Sequence, residues 1–278
     1  MSDPRLDVKF IGRFHDAYLK YRHAQMHFAA LVGLINSLLE QRWWLPEKVE
    51  GTKEGTVRIK ILCHPTVEWS LVVGDWIHNL RSCLDYAICG MVEAADPAAD
   101  LANIQFPFGR LGSPLNSDER KRLRGLAPEA VARIEAIRAE HGVDLNFVSL
   151  MSNQDKHRLL LPVTVRQVPM KLTIDEESNT ASINDDIEGS AAVWTKEIKD
   201  GDEIVMPTML KLGIGLLIEG EEMPFPLQDI ERLNVAVWKT FMAICTTERS
   251  VLASALSGTP AIQTTGSYTA ATSSRTSS

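Results

Sequence analysis

Between positions 75 and 86 the chain places Asp75, His78, Asn79, Arg81, Ser82, Asp85 and Tyr86. A second, smaller set follows at Asn153, Asp155, His157 and Arg158. These side-chain types can do chemistry together. An imidazole moves a proton near neutral pH, a carboxylate orients or charges it, and a guanidinium holds an anion. Arg81, His157, Asp85 and His78 are therefore the candidate catalytic residues. Asp75, Asn79, Ser82, Tyr86, Asn153, Asp155 and Arg158 are the candidate ligand-binding residues. Ser82 lies one helical turn after His78, within reach of its imidazole, although same-helix pairs of this kind are commonplace.

Metal chemistry is the weaker expectation. His78, Asp85, Asp75 and His157 are all ligand types, but neither stretch has the His-x-x-x-His spacing of zinc helices or the Glu-x-x-His of di-iron bundles. Cys63-His64 lacks a second pair at finger-like spacing. There is no Gly-x-Ser-x-Gly, no Walker loop and no Gly-x-Gly-x-x-Gly. No metal and no cofactor are expected.

The elements that carry these residues read as helices. At about 100° per residue, Asp75, His78, Asn79, Ser82, Asp85 and Tyr86 fall on one side of a helix, and Val73, Trp76, Leu80, Leu84, Ala87 and Met91 on the other. A solvated face is usually rich in Lys and Glu; this one has neither, so it is expected to pack against another polar surface or to line a pocket. On the second helix Asn146, Ser149, Asn153 and His157 share a face. Asp155 and Arg158 point to the side of Phe147, Val148 and Met151, where a charge needs a partner. An Asp155–Arg81 or Arg158–Asp85 pair between the helices is the specific expectation. The bland alternative is a buried polar network that fixes helix register and does no chemistry.

In chain order, Phe10, Phe14, Tyr18, Tyr21, Phe28, Leu31, Ile35 and Leu38 recur at helical spacing and predict one helix from Val8 to about Trp43. A hairpin follows near 48–62, where Val57, Ile59 and Ile61 alternate with Arg58 and Lys60. Pro65 opens the second long helix, which ends at Asp96-Pro97, and residues 103–114 are loop. Ser117-Asp118-Glu119 starts a short helix that Gly125 stops, and Pro128-Glu129 starts another. Asp144 reads as an N-cap, with Val143 and Val148 as a staple, for a helix ending near Leu160. From Val163 to Ile218 the period changes to two, which predicts a small antiparallel sheet, and Pro226 begins a last long helix with Ile230, Leu233, Val237, Phe241 and Ile244 on its buried stripe. The fold class is α+β: a helical bundle from residues 1–161 and 221–256, a β insertion over 162–220, and a tail over 257–278 too rich in Ser, Thr, Gly and Ala to order itself.

Composition narrows the function classes. A net charge of −7 excludes a general nucleic-acid-coating or anionic-membrane surface, and leaves a local patch at Arg120, Lys121, Arg122 and Arg124 as the one place to hold an RNA backbone. Cys63, Cys83, Cys89 and Cys245 are unevenly spaced and read as reduced, small hydrophobic side chains. Met1 to Asp7 has no apolar run, and the longest apolar stretches are too short to span a bilayer, so a cytoplasmic protein without membrane contact is expected.

Gly-Asp-x-x-His-Asn-Leu-Arg-Ser-x-Leu-Asp at 74–85, followed by Asn-x-Asp-Lys-His-Arg at 153–158, resembles a family of uncharacterised bacterial and phage proteins. The first motif in turn resembles the Arg-polar-x-x-x-His signature of the HEPN helical ribonucleases. That resemblance implies metal-independent RNA cleavage at a homodimer interface, with Arg81 on the phosphate and a histidine as acid or base. Arg81 and Ser82 match, but Tyr86 stands where the histidine belongs, and His157 replaces it only if the two helices meet. Two functional classes follow: a non-catalytic interaction protein with a structural polar network, and an HEPN-like RNA-cleaving or RNA-binding protein.

Overall fold

A computed structural model describes residues 12–51, 56–108, 113–158, 163–168, 171–175, 180–184, 198–205, 211–218, 225–226 and 229–257. The chain is α+β, as its two periodicities predict. A turn of 3-10 helix at Gly12–Phe14 leads into α1 (His15–Leu39), then β1 (Trp44–Lys48), β2 (Thr56–Ile61) and α2 (Val67–Ala95). The helices α3 (Ser117–Lys121), α4 (Pro128–Glu140) and α5 (Gly142–Arg158) follow. Next come β3 (Val163–Val168), β4 (Lys171–Asp175), β5 (Thr180–Asn184), β6 (Glu203–Val205), β7 (Lys211–Leu216), β8 (Phe225–Pro226) and α6 (Ile230–Ser257). The tail expected after residue 257 and the start of the first expected helix lie outside the described residues.

The axis of the bundle is α2, which packs against α1, α5 and α6. Trp69, Val73, Trp76, Ile77, Leu80, Cys83, Leu84, Ala87 and Ile88 are all buried, so its apolar surface is far wider than a single stripe. The first and last described helices close over it: Phe14 meets Phe241 edge-on at 6.4 Å, and Tyr21 lies 4.7 Å from Trp238 between ring centroids. One buried polar link is built in where the Trp76 indole N–H donates to Asn234 Oδ1 at 2.9 Å. Gly90 is required by close approach, since a Cβ there would lie 2.8 Å from the Arg13 carbonyl oxygen. All four cysteines are free thiols; Cys83 and Cys245 are buried, and Cys63 and Cys89 are half-buried.

Four boundaries differ from the sequence reading. α1 stops at Leu39 instead of Trp43, because the Trp43 carbonyl accepts from the N–H groups of Leu62 and Cys63 and starts the sheet. Pro46 then sits in β1, an edge strand, where a missing N–H costs no ladder bond. α5 starts at Gly142, so Asp144 is in its first turn and binds Arg232 Nε at 2.7 Å instead of capping. Val143 is 50% exposed, so no staple forms. Pro226 ends β8 instead of opening the last helix, which begins at Ile230. α3 starts at Ser117 as expected, capped by Asn116 in a capping box with Glu119, but it ends at Lys121, before Gly125.

The strands of the insertion do not make one sheet. β3–β7–β8 form one antiparallel sheet, β4–β5 a separate hairpin, and β6 pairs with β2 to complete the N-terminal hairpin as β1–β2–β6. Arg58 and Glu203 cross-link that junction at 2.6 Å. The sheet pairing thus crosses the 162–220 boundary expected from sequence. Phe147 on α5 packs on Phe225 at 4.9 Å, and Gln154 Nε2 donates to the Leu217 carbonyl at 3.1 Å, tying the β part to the bundle.

Two predictions follow. Gly90→Ala gains helix propensity of ~1 kcal/mol but drives Cβ into backbone, for which overpacking costs ~1–3 kcal/mol; urea denaturation should show a net loss of stability. Burial pushes the Tyr21 phenol up to about 12, with the neighbouring Cys83 thiol adding to it. A raised folded pKa stabilises the protein fully below the unfolded value of ~10 and loses that contribution as pH rises through the folded one. Ultraviolet difference titration should show a late-ionising phenol that Tyr21→Phe removes, with stability falling between pH ~10 and ~12.

Candidate functional site

The two polar helices meet. A Cβ at Gly74 would lie 2.6 Å from Asp155 Oδ1, so the carboxylate of α5 rests against the glycine surface of α2. Seven residues further along α2, Arg81 donates from NH1 to Asn153 Oδ1 at 2.8 Å. The Asp155–Arg81 pair expected from sequence is therefore replaced. Asp155 sits two turns away over Gly74, and the neutral Asn153 amide takes the guanidinium. The side chains of His157 and Arg158 lie outside the described residues, and with them the Arg158–Asp85 alternative.

Arg81 is the centre of the arrangement. Its side chain is 11% exposed and that of Asp85, one turn on, is 24% exposed, with Nε 3.8 Å from Asp85 Oδ2. The guanidinium carbon lies 5.1 Å from the centroid of the Phe108 ring. Asp85 also accepts from the Phe106 N–H at 2.9 Å through Oδ1, so the same carboxylate anchors the loop whose aromatic residue covers Arg81. Phe106 and Phe108 meet edge-on at 4.9 Å. The Gln105 N–H donates to the Arg122 carbonyl at 3.4 Å, bringing the turn after α3 to the same place. Burial lowers the pKa of Arg81, the positive charge of Arg122 lowers it further, and Asp85 opposes both.

The remaining candidates divide by exposure. Asn79 is buried and spends its amide on the Asp75 carbonyl, one turn back, at 2.7 Å. His78 and Asp75 are exposed. His78 Nε2 lies 3.5 Å from Ser82 Oγ, which is the same-helix contact the spacing predicts. Tyr86 is 45% exposed, with Lys20 Nζ 5.8 Å from its ring centroid. Thus His78 and Tyr86 open toward solvent with the half-buried Ser82 between them, whereas Asn79 is buried and Arg81 and Asp85 are mostly covered. The expected single polar face is split into a wet edge and a packed edge.

The basic turn is largely spent on this chain's own oxygens. Arg120 Nε donates to the Leu115 carbonyl at 3.2 Å and its NH2 lies 3.8 Å from Glu135. Lys121 pairs with Asp118 at 2.8 Å, and Arg124 NH2 binds Asp100 Oδ2 at 2.7 Å and the Ala102 carbonyl at 2.8 Å. Arg122 is half-buried. Behind this turn Arg138 and Glu119 form a buried pair at 3.2 Å, 5% and 8% exposed, and Arg138 also donates to the Ser113 carbonyl. Among the described residues no group of three or more His, Cys, Asp or Glu could hold a metal ion. A separate cleft is lined by Ile61, His64, Pro65, Thr164, Lys199 and Asp200.

Sequence reasoning did not find Phe106 or Phe108 as members of this site, and it read Arg122 only as part of the basic patch. The signal was present as Phe-Pro-Phe in a loop, where paired aromatics have no helical or strand period to satisfy and need a specific neighbour. Comparison with family models, curated proteins and solved structures gave no match for this chain.

Asp85→Ala removes the acceptor of a half-buried N–H and the counter-charge of Arg81, at ~2 kcal/mol. Asp85→Asn keeps the acceptor and should cost about half of that. Chemical denaturation of the two variants checks the order, and equal losses would remove the Phe106 N–H from the account.

Proposed function

We propose that the chain is a non-catalytic interaction protein of bacterial or phage type, cytoplasmic, in which the residues around Arg81 are a structural polar network between α2, α5 and the Phe106–Phe108 loop. The observation that carries this reading is the state of Arg81. Its guanidinium is 11% exposed, bound to Asn153, near Asp85 and under Phe108. A phosphate-holding arginine needs unspent donors open to a substrate, and these are turned inward. Among the described residues no helix is long and apolar enough to cross a membrane.

A second reading, an HEPN-like RNA-cleaving or RNA-binding protein, is favoured by one specific observation. The exposed His78 and the Ser82 hydroxyl lie on the wet edge of the same helix turn as Arg81. In this reading His78 or His157 supplies the imidazole that the motif lacks at Tyr86, and Arg122 adds positive charge beside Arg81.

One experiment separates the two. Arg81→Ala, His78→Ala and His157→Ala are measured for thermal stability and for cleavage of single-stranded RNA. The structural reading expects no cleavage by the parent protein and a loss of ~1–2 kcal/mol in Arg81→Ala, which takes the counter-charge from Asp85 and a hydrogen bond from the exposed Asn153 amide. Parent cleavage that disappears in well-folded histidine variants would establish the second reading instead.

A further inference from the structure

The outward face of α1 is unlike a solvated helix surface. From His23 to Leu39, seventeen consecutive residues, there is no Asp, Glu, Lys or Arg. The exposed residues Met26, Ala30, Gly33 and Ser37 recur at three, four and seven, so they form a continuous strip. Met26 is 67% exposed, the most of any large apolar side chain among the described residues. Gly33 is the decisive position. A Cβ there would meet nothing within 4 Å, so no contact among the described residues requires a glycine. A mid-helix glycine is costly relative to alanine, and one that faces open space is explained when another backbone must come close.

We propose that this strip is the interface of a homodimer in which α1 packs antiparallel against α1 of a second copy. The charges at its two ends fit a two-fold axis. Arg22 and His23 border the strip at one end and Glu40 at the other, all three exposed. An antiparallel arrangement with the axis near the middle of the helix sets Ala30 opposite the second copy's Gly33, Met26 opposite its Ser37, and Arg22 and His23 beside its Glu40. That is isologous self-complementarity, with small residues where the helices cross and opposite charges at both rims. The strip itself carries no charged side chain, so it sets no like charges against each other between two copies. From Arg22 to Glu40 the strip is about 28 Å long at ~1.5 Å per residue. A helix pair of that length buries on the order of 1,000 Å² over both copies, at the lower limit of specific interfaces, so micromolar association is expected.

Sedimentation velocity on the full chain over roughly 1–100 μM tests this. The expected result is a concentration-dependent monomer–dimer equilibrium. Ala30→Glu should weaken it at least about tenfold while leaving the circular dichroism melt unchanged, since the position is exposed in the monomer. Glu40→Arg should weaken it too, and Arg22→Glu combined with Glu40→Arg should restore it, which a general surface effect would not do. A chain that is monomeric throughout overturns the proposal, whether Met26 is freely oxidised by peroxide, an open face, or protected from it, a face covered by the chain itself. A dimer indifferent to Ala30→Glu overturns it equally.

Discussion

The burial of the Arg81 guanidinium is the constraint on which the middle of the molecule depends. A charge that is 11% exposed has given up most of its hydration, and the loss must be made good by groups at fixed positions. Three different parts of the chain supply them: Asn153 from α5, Phe108 from the loop after α2, and Asp85 from the helix that carries Arg81. Each partner is itself held. Asp85 accepts from the Phe106 N–H, and α5 is seated by the approach of Asp155 to Gly74. Arg81 Nε, buried 3.8 Å from Asp85 Oδ2, already lacks a hydrogen bond among the described residues, and shifting any one partner leaves a further donor or charge unsatisfied, so helix register, loop path and helix–helix distance are set together.

The same requirement explains why α2 is central. A helix buried on several sides must find room for its neighbours, and it does so with glycine at the two closest approaches, Gly74 to α5 and Gly90 to the turn before α1. Large side chains fill the rest: Trp76 reaches both Phe28 and the Asn234 amide, which locks α1 and α6 onto one indole. Polar anchors inside an apolar core restrict the alternatives open to it, because a slipped helix would bury Asn234 or the indole N–H without a partner. The interior of the bundle is thus specified by a few directional contacts and stabilised by many non-directional ones.

Much of this was legible from residue order, and the rest fails for physical reasons. The long helices α2 and α6 carry strong 3.6-residue periodicity and end at breakers such as Asp96-Pro97, so their existence is a local property of the chain. The meeting of the two polar helices was also legible, since both carry short hydrogen-bonding side chains that need company. The partner of Arg81 was not. Formal charge points to Asp155, but geometry puts Asn153 at hydrogen-bonding distance and Asp155 two turns away, a choice set by the helix crossing and invisible in composition. The sheets were misjoined for a similar reason. β6 is a three-residue strand whose pairing with β2 is fixed by a distant register, Val57 opposite Ile204, and by nothing in its own sequence.

That last pairing bears on how the chain reaches its folded state. The Arg58–Glu203 contact spans 145 positions, so the β1–β2 hairpin stays without its third strand until nearly three quarters of the polypeptide has been made. Local helical contacts are closed at small entropic cost, whereas a loop of this size must be closed at once and yields only a short ladder in return. The N-terminal helices can therefore collapse early, whereas β6 and α6, whose Trp76–Asn234 contact spans 158 positions, both join late, and the edge of β2 is left with unpaired backbone groups during synthesis. Arg58, exposed on β2, keeps that open edge charged until Glu203 arrives, so the residue that later pairs with β6 also guards the strand against association with other chains while it waits, whereas Lys60 is already paired with Glu47 inside the hairpin.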